Sequence, residues 1–227
     1  MFLFNEDVLV PLAIFAIPIV AITCEPFPLV EALARHGRNL TGVTCMTPET
    51  VPKRLELFKE AVPRATRVAF LYNPIDGGDG LETARATATA LKLQLIPVPL
   101  QTVADFEPAL ETVRREHADG LFIHPDTLIG PRRPRIAEFA LQHHLPAVDP
   151  FREFPAAGGL MSYGSSLPDL CRRAAELADR LVKGAKVAEL PIEQASRFYL
   201  IINAKTARAL GVTIPPSLLL RADQVIE

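Results

Sequence analysis

Arg67-Val68-Ala69-Phe70-Leu71-Tyr72 is apolar after its first residue and stops at Asn73-Pro74-Ile75-Asp76-Gly77-Gly78. An apolar run of this length, bounded by turn residues, reads as a strand buried on both faces. Asn-Pro and the glycines read as the turn that ends it. The Ala/Thr-rich stretch Leu81 to Leu91 then reads as a helix, and Leu93 to Val98 as the next strand. The alternation continues with a helix over Asp105 to Glu116, burying Phe106, Leu110 and Val113, and a strand over Gly120 to His124. A helix over Arg132 to His143, a strand over Leu145 to Val148, a helical turn over Phe151 to Ala156 and a strand over Leu160 to Tyr163 follow. Strand–helix–strand repeated in this way predicts a doubly wound parallel sheet with right-handed crossovers.

The flanks carry more of the same class. Upstream, Ile17 to Thr23 and Asn39 to Thr44 read as strands, Leu29 to Arg35 as a short helix stopped at Gly37, and Pro52 to Ala61 as a helix with Leu55, Phe58 and Val62 on one face. Downstream, Pro168 to Lys183 is an amphipathic helix with Leu170, Ala174, Leu177 and Leu181 inward and Gly184 as its stop. Leu190 to Ile202 contains extended chain, Ala204 to Leu210 is a last short helix, and Ile214 to Glu227 reads as a tail around Pro215-Pro216.

Composition narrows the function. Hydrophobic residues make up 49 % and charged residues 22 % of the 227, ordinary for a globular chain with a real core. The 24 basic and 26 acidic residues give a net charge of −2, which argues against nucleic acid as a partner. The apolar stretch Val8 to Thr23 ends at Cys24, yet Glu6 and Asp7 precede it with no Lys or Arg, and Thr23 stands before the cysteine, so it does not read as a secretion signal. Pro11 and Pro18 interrupt it, and it falls short of a membrane span, which needs about 18–20 apolar residues. Cys24, Cys45 and Cys171 form no CxxC pair and are expected to be small buried hydrophobes rather than a zinc site or a disulfide framework.

In an open parallel sheet, ligands bind beyond the carboxyl ends of the strands. Those ends carry Glu25, Asn73 and Pro74, Asp126 and Thr127, Phe151 and Arg152, and Ser162 and Tyr163, with Thr44 at the end of its strand and Asp79 in the glycine-rich turn. An arginine fork suits a carboxylate and an aspartate suits an ammonium group, so the set suits a small zwitterion. Each residue also has a plainer role: Asn73-Pro74 as a turn, Asp126 as a helix cap, Arg152 as a partner of Glu153, Tyr163 as half-core. Gly77-Gly78-Asp79-Gly80 lacks the GxGxxG order and the Lys-Ser/Thr of a phosphate loop, so a nucleotide enzyme ranks last. His124 and Asp126 flank Pro125 without a third metal ligand, and no nucleophile, base and orienter assemble. No enzyme activity, cofactor or metal is expected.

Several stretches resemble the ABC transporter substrate-binding family that includes tryptophan- and tyrosine-binding members. They are Ile17-Pro18-Ile19-Val20, Asn39-Leu40-Thr41-Gly42-Val43, Lys53-Arg54-Leu55-Glu56-Leu57-Phe58, Arg67 to Pro74, Pro150-Phe151-Arg152-Glu153-Phe154, Gly158-Gly159-Leu160-Met161-Ser162-Tyr163-Gly164, and the ending from Ile201-Ile202-Asn203-Ala204 to Ala222-Asp223. The resemblance implies a two-lobe fold of the type I periplasmic-binding-protein kind, closing on a small molecule such as an amino acid. It also implies delivery to an ABC permease in the membrane and a periplasmic location; without a signal, cytoplasmic retention is the alternative. On this reading, residues 1–16 match nothing, 17–65 with 165–190 form a partial first lobe, and 66–164 with 191–227 form the second. The first lobe is expected to be incomplete at its N-terminus, leaving the strand at 17–23 as an apolar edge for self-association. The competing reading is a truncated α/β lobe acting as an intracellular sensor or an oligomeric remnant without transport activity.

Overall fold

The computed structural model describes residues 17–24, 39–75 and 78–227, with the backbone alone at 78 and 79. The expected helix at Leu29 to Arg35, and the segment 1–16, lie outside the described residues. The chain divides into two compact units, residues 1–46 with 165–198 and residues 47–164 with 199–227.

In the first unit, β1 (Ile19–Thr23) and β2 (Leu40–Thr44) pair in parallel, and β2 pairs in parallel with β8 (Glu193–Gln194). Ala21, Leu40 and Ile192 form the small core between them. Gly42 is required here, because a Cβ at that position would stand 2.0 Å from the Ala21 carbonyl oxygen. The Thr41 hydroxyl donates to the carbonyls of Leu190 and Pro191 at 3.0 and 3.2 Å, anchoring the chain that leads into β8. Helix α6 (Leu167–Val182) begins at Ser166, whose hydroxyl accepts the Asp169 N–H, and buries Leu170 and Leu177. Cys24 and Cys45 are joined in a disulfide with Cα atoms 4.8 Å apart, and Cys171 is free. This corrects the expectation of three unpaired thiols. The two cysteines lie 21 residues apart, but parallel pairing brings the ends of β1 and β2 side by side.

The second unit holds a seven-stranded sheet in the order β10-β9-β7-β6-β5-β3-β4. Its strands are β3 (Arg67–Tyr72), β4 (Gln94–Pro99), β5 (Gly120–Ile123), β6 (Ala147–Asp149), β7 (Met161–Gly164), β9 (Tyr199–Asn203) and β10 (Gln224–Ile226). All neighbouring strands run parallel except β7 and β9. Side chains alternate between the two faces. Val68, Phe70, Phe122, Val148, Met161 and Ile202 face one core with helices α1 (Thr47–Ala61) and α2 (Gly78–Ala90). Ala69, Leu71, Leu121, Ile123 and Ala147 face a second core with α3 (Phe106–Arg115) and α4 (Arg133–Gln142). A sheet covered on both faces explains why these strands read as continuous apolar runs. The Asp119 carboxylate accepts the N–H groups of Thr66 and Arg67 and pins the starts of β3 and β5 together.

Three boundaries differ from the sequence reading. Helix α1 starts at Thr47 and runs through Pro52, the residue at which the sequence places its start. It packs on the second unit through Val51, Leu55 and Phe58, so the division falls after Met46 rather than after residue 65. The tail is ordered structure: Pro216 opens helix α8 (Pro216–Arg221), and β10 pairs with β9, with Asp223 exchanging bonds with the Leu200 backbone. The short helices α5 (Glu153–Ala156) and α7 (Ala204–Ala209) complete the unit.

Phe58 is fully buried, and Gly120 leaves the space its ring fills, since a Cβ there would come within 2.5 Å of the ring. Phe58→Ala is expected to cost about 3–5 kcal/mol of stability, read as an earlier midpoint in urea unfolding followed by circular dichroism.

Candidate ligand-binding site

The chain runs from β3 outward to β4, then returns to the other side of β3 for β5, β6 and β7. The reversal opens a crevice between the carboxyl ends of β3 and β5, where open α/β sheets hold their ligands. Asn73 and Asp126 stand on its two sides. The Asn73 Nδ2 donates to Asp126 Oδ2 at 3.0 Å, and Asn73 Oδ1 accepts the Ile75 N–H at 3.0 Å. Asp126 Oδ1 accepts the Leu128 N–H at 2.6 Å. Both side chains therefore shape their own loops and tie the loops together. Asp126 is not the cap of α4; it closes the turn that leads to it. Asn73 is buried, Pro74 and Asp126 are half-buried, and Thr127 is exposed.

On the α1/α2 face the sheet carries stacked rings. Phe70 stacks on Phe122 with centroids 5.2 Å apart, and Tyr72 and His124 each lie 5.7 Å from Phe70. Arg54, fully buried on α1, sets its guanidinium 4.6 Å from the Phe122 centroid. The first turn of α2 lies against His124, because a Cβ on Gly80 would come 2.2 Å from its Nε2. Burial, reinforced by the charge of Arg54, drives the His124 imidazolium pKa down to about 3. His124 is thus a neutral ring in the floor, and Asp126 is engaged with Asn73 and Leu128. Tyr163 is half-buried against the same core.

On the opposite face, Arg133 at the start of α4 donates from Nε to both oxygens of Asp149 at 3.1 Å. Both residues are buried. Burial raises the Asp149 pKa, while Arg133 and the Phe151 N–H pull against that rise. Asp149 Oδ1 accepts the Phe151 N–H at 2.7 Å, and the Arg133 guanidinium lies 5.0 Å from the Phe151 ring centroid. Ser162 is the register partner of Asp149; its Oγ is buried and makes no hydrogen bond among the described residues. Arg152 is exposed and donates to Gln224 at 3.3 Å, rather than pairing with Glu153.

The remaining expected residues separate. Thr44 lies in the first unit, buried, with its hydroxyl accepting the Met46 N–H at 3.3 Å. Glu25 and the side chain of Asp79 lie outside the described residues. Asn73, Pro74, Asp126, Thr127, Phe151, Arg152, Ser162 and Tyr163 all fall at the carboxyl edge of one sheet. Arg54 and Arg133 beneath that edge lie on helices, so reading the strand ends does not reach them. Arg54 had a legible signal, since it falls three residues after Val51 and four before Phe58, on the buried stripe of its helix.

The sequence matches the ABC transporter substrate binding protein family over residues 8–226. This chain belongs to that family. The family is one of substrate-binding proteins, not enzymes. A tyrosine-binding protein from Clostridioides difficile (strain R20291) is 24 % identical over 186 residues, which is 81 % of this chain and 53 % of the relative. The chain therefore spans about half the length of that curated relative. Among solved structures, the ABC domain in complex with L-Trp from Streptococcus pneumonia has a TM-score of 0.83 and 26 % identity, covering 92 % of this chain and 72 % of that one. A conserved domain protein from Vibrio cholerae has a TM-score of 0.84 and 24 % identity, covering 92 % and 71 %. These neighbours share the type I periplasmic-binding-protein fold with this family member. Among the described residues, no helix is long and apolar enough to cross a membrane.

With the folded pKa of His124 below its unfolded value of 6.5, the site contributes its full stability above about pH 6.5 and loses it as pH falls toward 3. The unfolded chain takes up a proton there that the folded chain refuses. By pH 4.5 the loss is on the order of 2–3 kcal/mol. His124→Gln is expected to flatten the melting temperature against pH between 6.5 and 4.5; an unchanged slope would mean another group sets it.

Proposed function

We propose that this chain binds an amino acid at the carboxyl edge of its seven-stranded sheet and acts as the solute-binding partner of an ABC permease outside the cytoplasmic membrane. The observation that carries the reading is the Asn73–Asp126 bridge at the reversal of strand order. It sets an amide and a carboxylate beside the exposed Thr127, on the same edge as Arg152. A carboxylate suits the ligand's ammonium group, and an arginine suits its carboxylate. The ligands named for the tyrosine-binding relative and the tryptophan complex favour an aromatic side chain. Tyr163 is the ring at this edge suited to stack on it.

Asp126 has two duties in this reading, so its replacement separates them. Asp126→Asn removes the charge and keeps an acceptor oxygen for the Leu128 N–H, while its NH2 takes the place of the oxygen that accepts from Asn73 Nδ2. A thermal melt against L-tryptophan, L-tyrosine and the other amino acids is expected to show a selective rise for wild type, about 2.7 kcal/mol at a hundred times Kd. The same melt is expected to show a much smaller rise for Asp126→Asn. No rise with any amino acid would sink the reading.

Self-association along the first sheet belongs to the same proposal. Among the described residues β1 has one strand neighbour, β2, and its other side is an edge. An edge strand offers backbone groups to a second copy. Light scattering on a sizing column is expected to give a dimer for wild type and a monomer for Val20→Lys; a monomeric wild type would refute the pairing.

A further inference from the structure

We propose that the buried Arg133–Asp149 pair is a positioning element that sets the Phe151–Arg152 loop for the ligand. The inference rests on the binding reading above and assigns a role to two residues that do not themselves touch the ligand. Asp149 ends β6, and its carboxylate turns back to accept the N–H of Phe151. Arg133 bridges both oxygens of that carboxylate through Nε and lays its guanidinium over the Phe151 ring. One cation thus fixes the residue before the loop and the first side chain within it. The loop is also held from the far side, because Gly164 leaves no room for a Cβ, which would stand 2.3 Å from the Pro150 carbonyl oxygen. Arg152, the next residue, emerges from this clamp to the surface.

The energetics favour position over stability as the reason for the pair. Desolvating two charges costs about as much as their attraction returns, and apolar replacements of buried pairs are often neutral or stabilising. An ion pair in which one N–H is shared between both carboxylate oxygens, with a ring against the guanidinium, does fix direction, which an apolar contact does not.

The test uses the full chain carrying Arg133→Met with Asp149→Asn, which removes both charges and keeps an acceptor for Phe151. Arg133→Lys is the second variant, retaining the charge without the planar guanidinium that reaches Asp149 and the Phe151 ring together. The readouts are the ligand-free melting temperature, amide hydrogen exchange over residues 150–153, and the Kd for L-tryptophan and L-tyrosine by calorimetry. The double variant is expected to melt within a few degrees of wild type, to exchange its 151 and 152 amides about tenfold faster, and to bind the probe about tenfold more weakly. Arg133→Lys is expected to fall between it and wild type, and carries the test alone if the double variant does not fold. A folded variant with faster exchange and unchanged Kd, or with unchanged exchange, overturns the inference. Wild type that binds neither probe defeats the binding reading, and loop exchange then decides whether the pair sets the loop.

Discussion

A parallel sheet covered by helices on both faces meets water only at its strand ends, and the second unit is organised by that constraint. From β3 to β7 each crossover returns the chain to the same direction, so the polar turn residues of β3, β5, β6 and β7 collect at one edge. The reversal beside β3 then opens one crevice, where the chain leaves the adjacent strands β3 and β5 toward opposite faces of the sheet. Two carboxylates hold the strands on either side of it in register. Asp119 clamps the starts of β3 and β5, and Asp126, through Asn73, clamps their ends. Polar residues at a strand end are costly to leave unpaired, so Asn73 and Asp126 bond one another.

Beneath that edge the unit buries charge that a simple core would not contain. Arg54 lies on Phe122, His124 is kept neutral, and Arg133 holds Asp149. These groups sit where apolar cores on both faces reach the loops. Their directionality gives the loops fixed shapes, which the proposed discrimination among similar zwitterions requires. The disulfide between Cys24 and Cys45 does a related job in the first unit, joining the ends of two adjacent strands.

The sequence carried the fold well where strands are buried on both faces. Arg67 to Tyr72 and Gly120 to Ile123 are legible because burial on two sides demands continuous apolar residues. β10 is not legible in the sequence, since Gln224-Val225-Ile226 is three residues long, too short to show an alternation, and lies at the edge of the sheet. Helix α1 begins five residues before Pro52, a usual first helical residue, because packing of Val51 and Leu55 outweighs one lost backbone bond. Candidate site residues at strand ends were legible from topology. Their partners were not, because Arg133 to Asp149 and Asn73 to Asp126 span 16 and 53 residues of chain. The Cys24–Cys45 pairing was hidden for the same reason.

The central claim is that the carboxyl edge of the seven-stranded sheet is where a solute binds. Amide chemical-shift mapping tests it most directly, with L-tryptophan or L-tyrosine titrated into the labelled chain. The account predicts that the saturable shifts within the second unit centre on Asn73–Ile75, His124–Leu128, Asp149–Arg152 and Ser162–Gly164. Saturable shifts confined to other parts of that unit, such as the starts of β3 and β5 around Asp119, would contradict it.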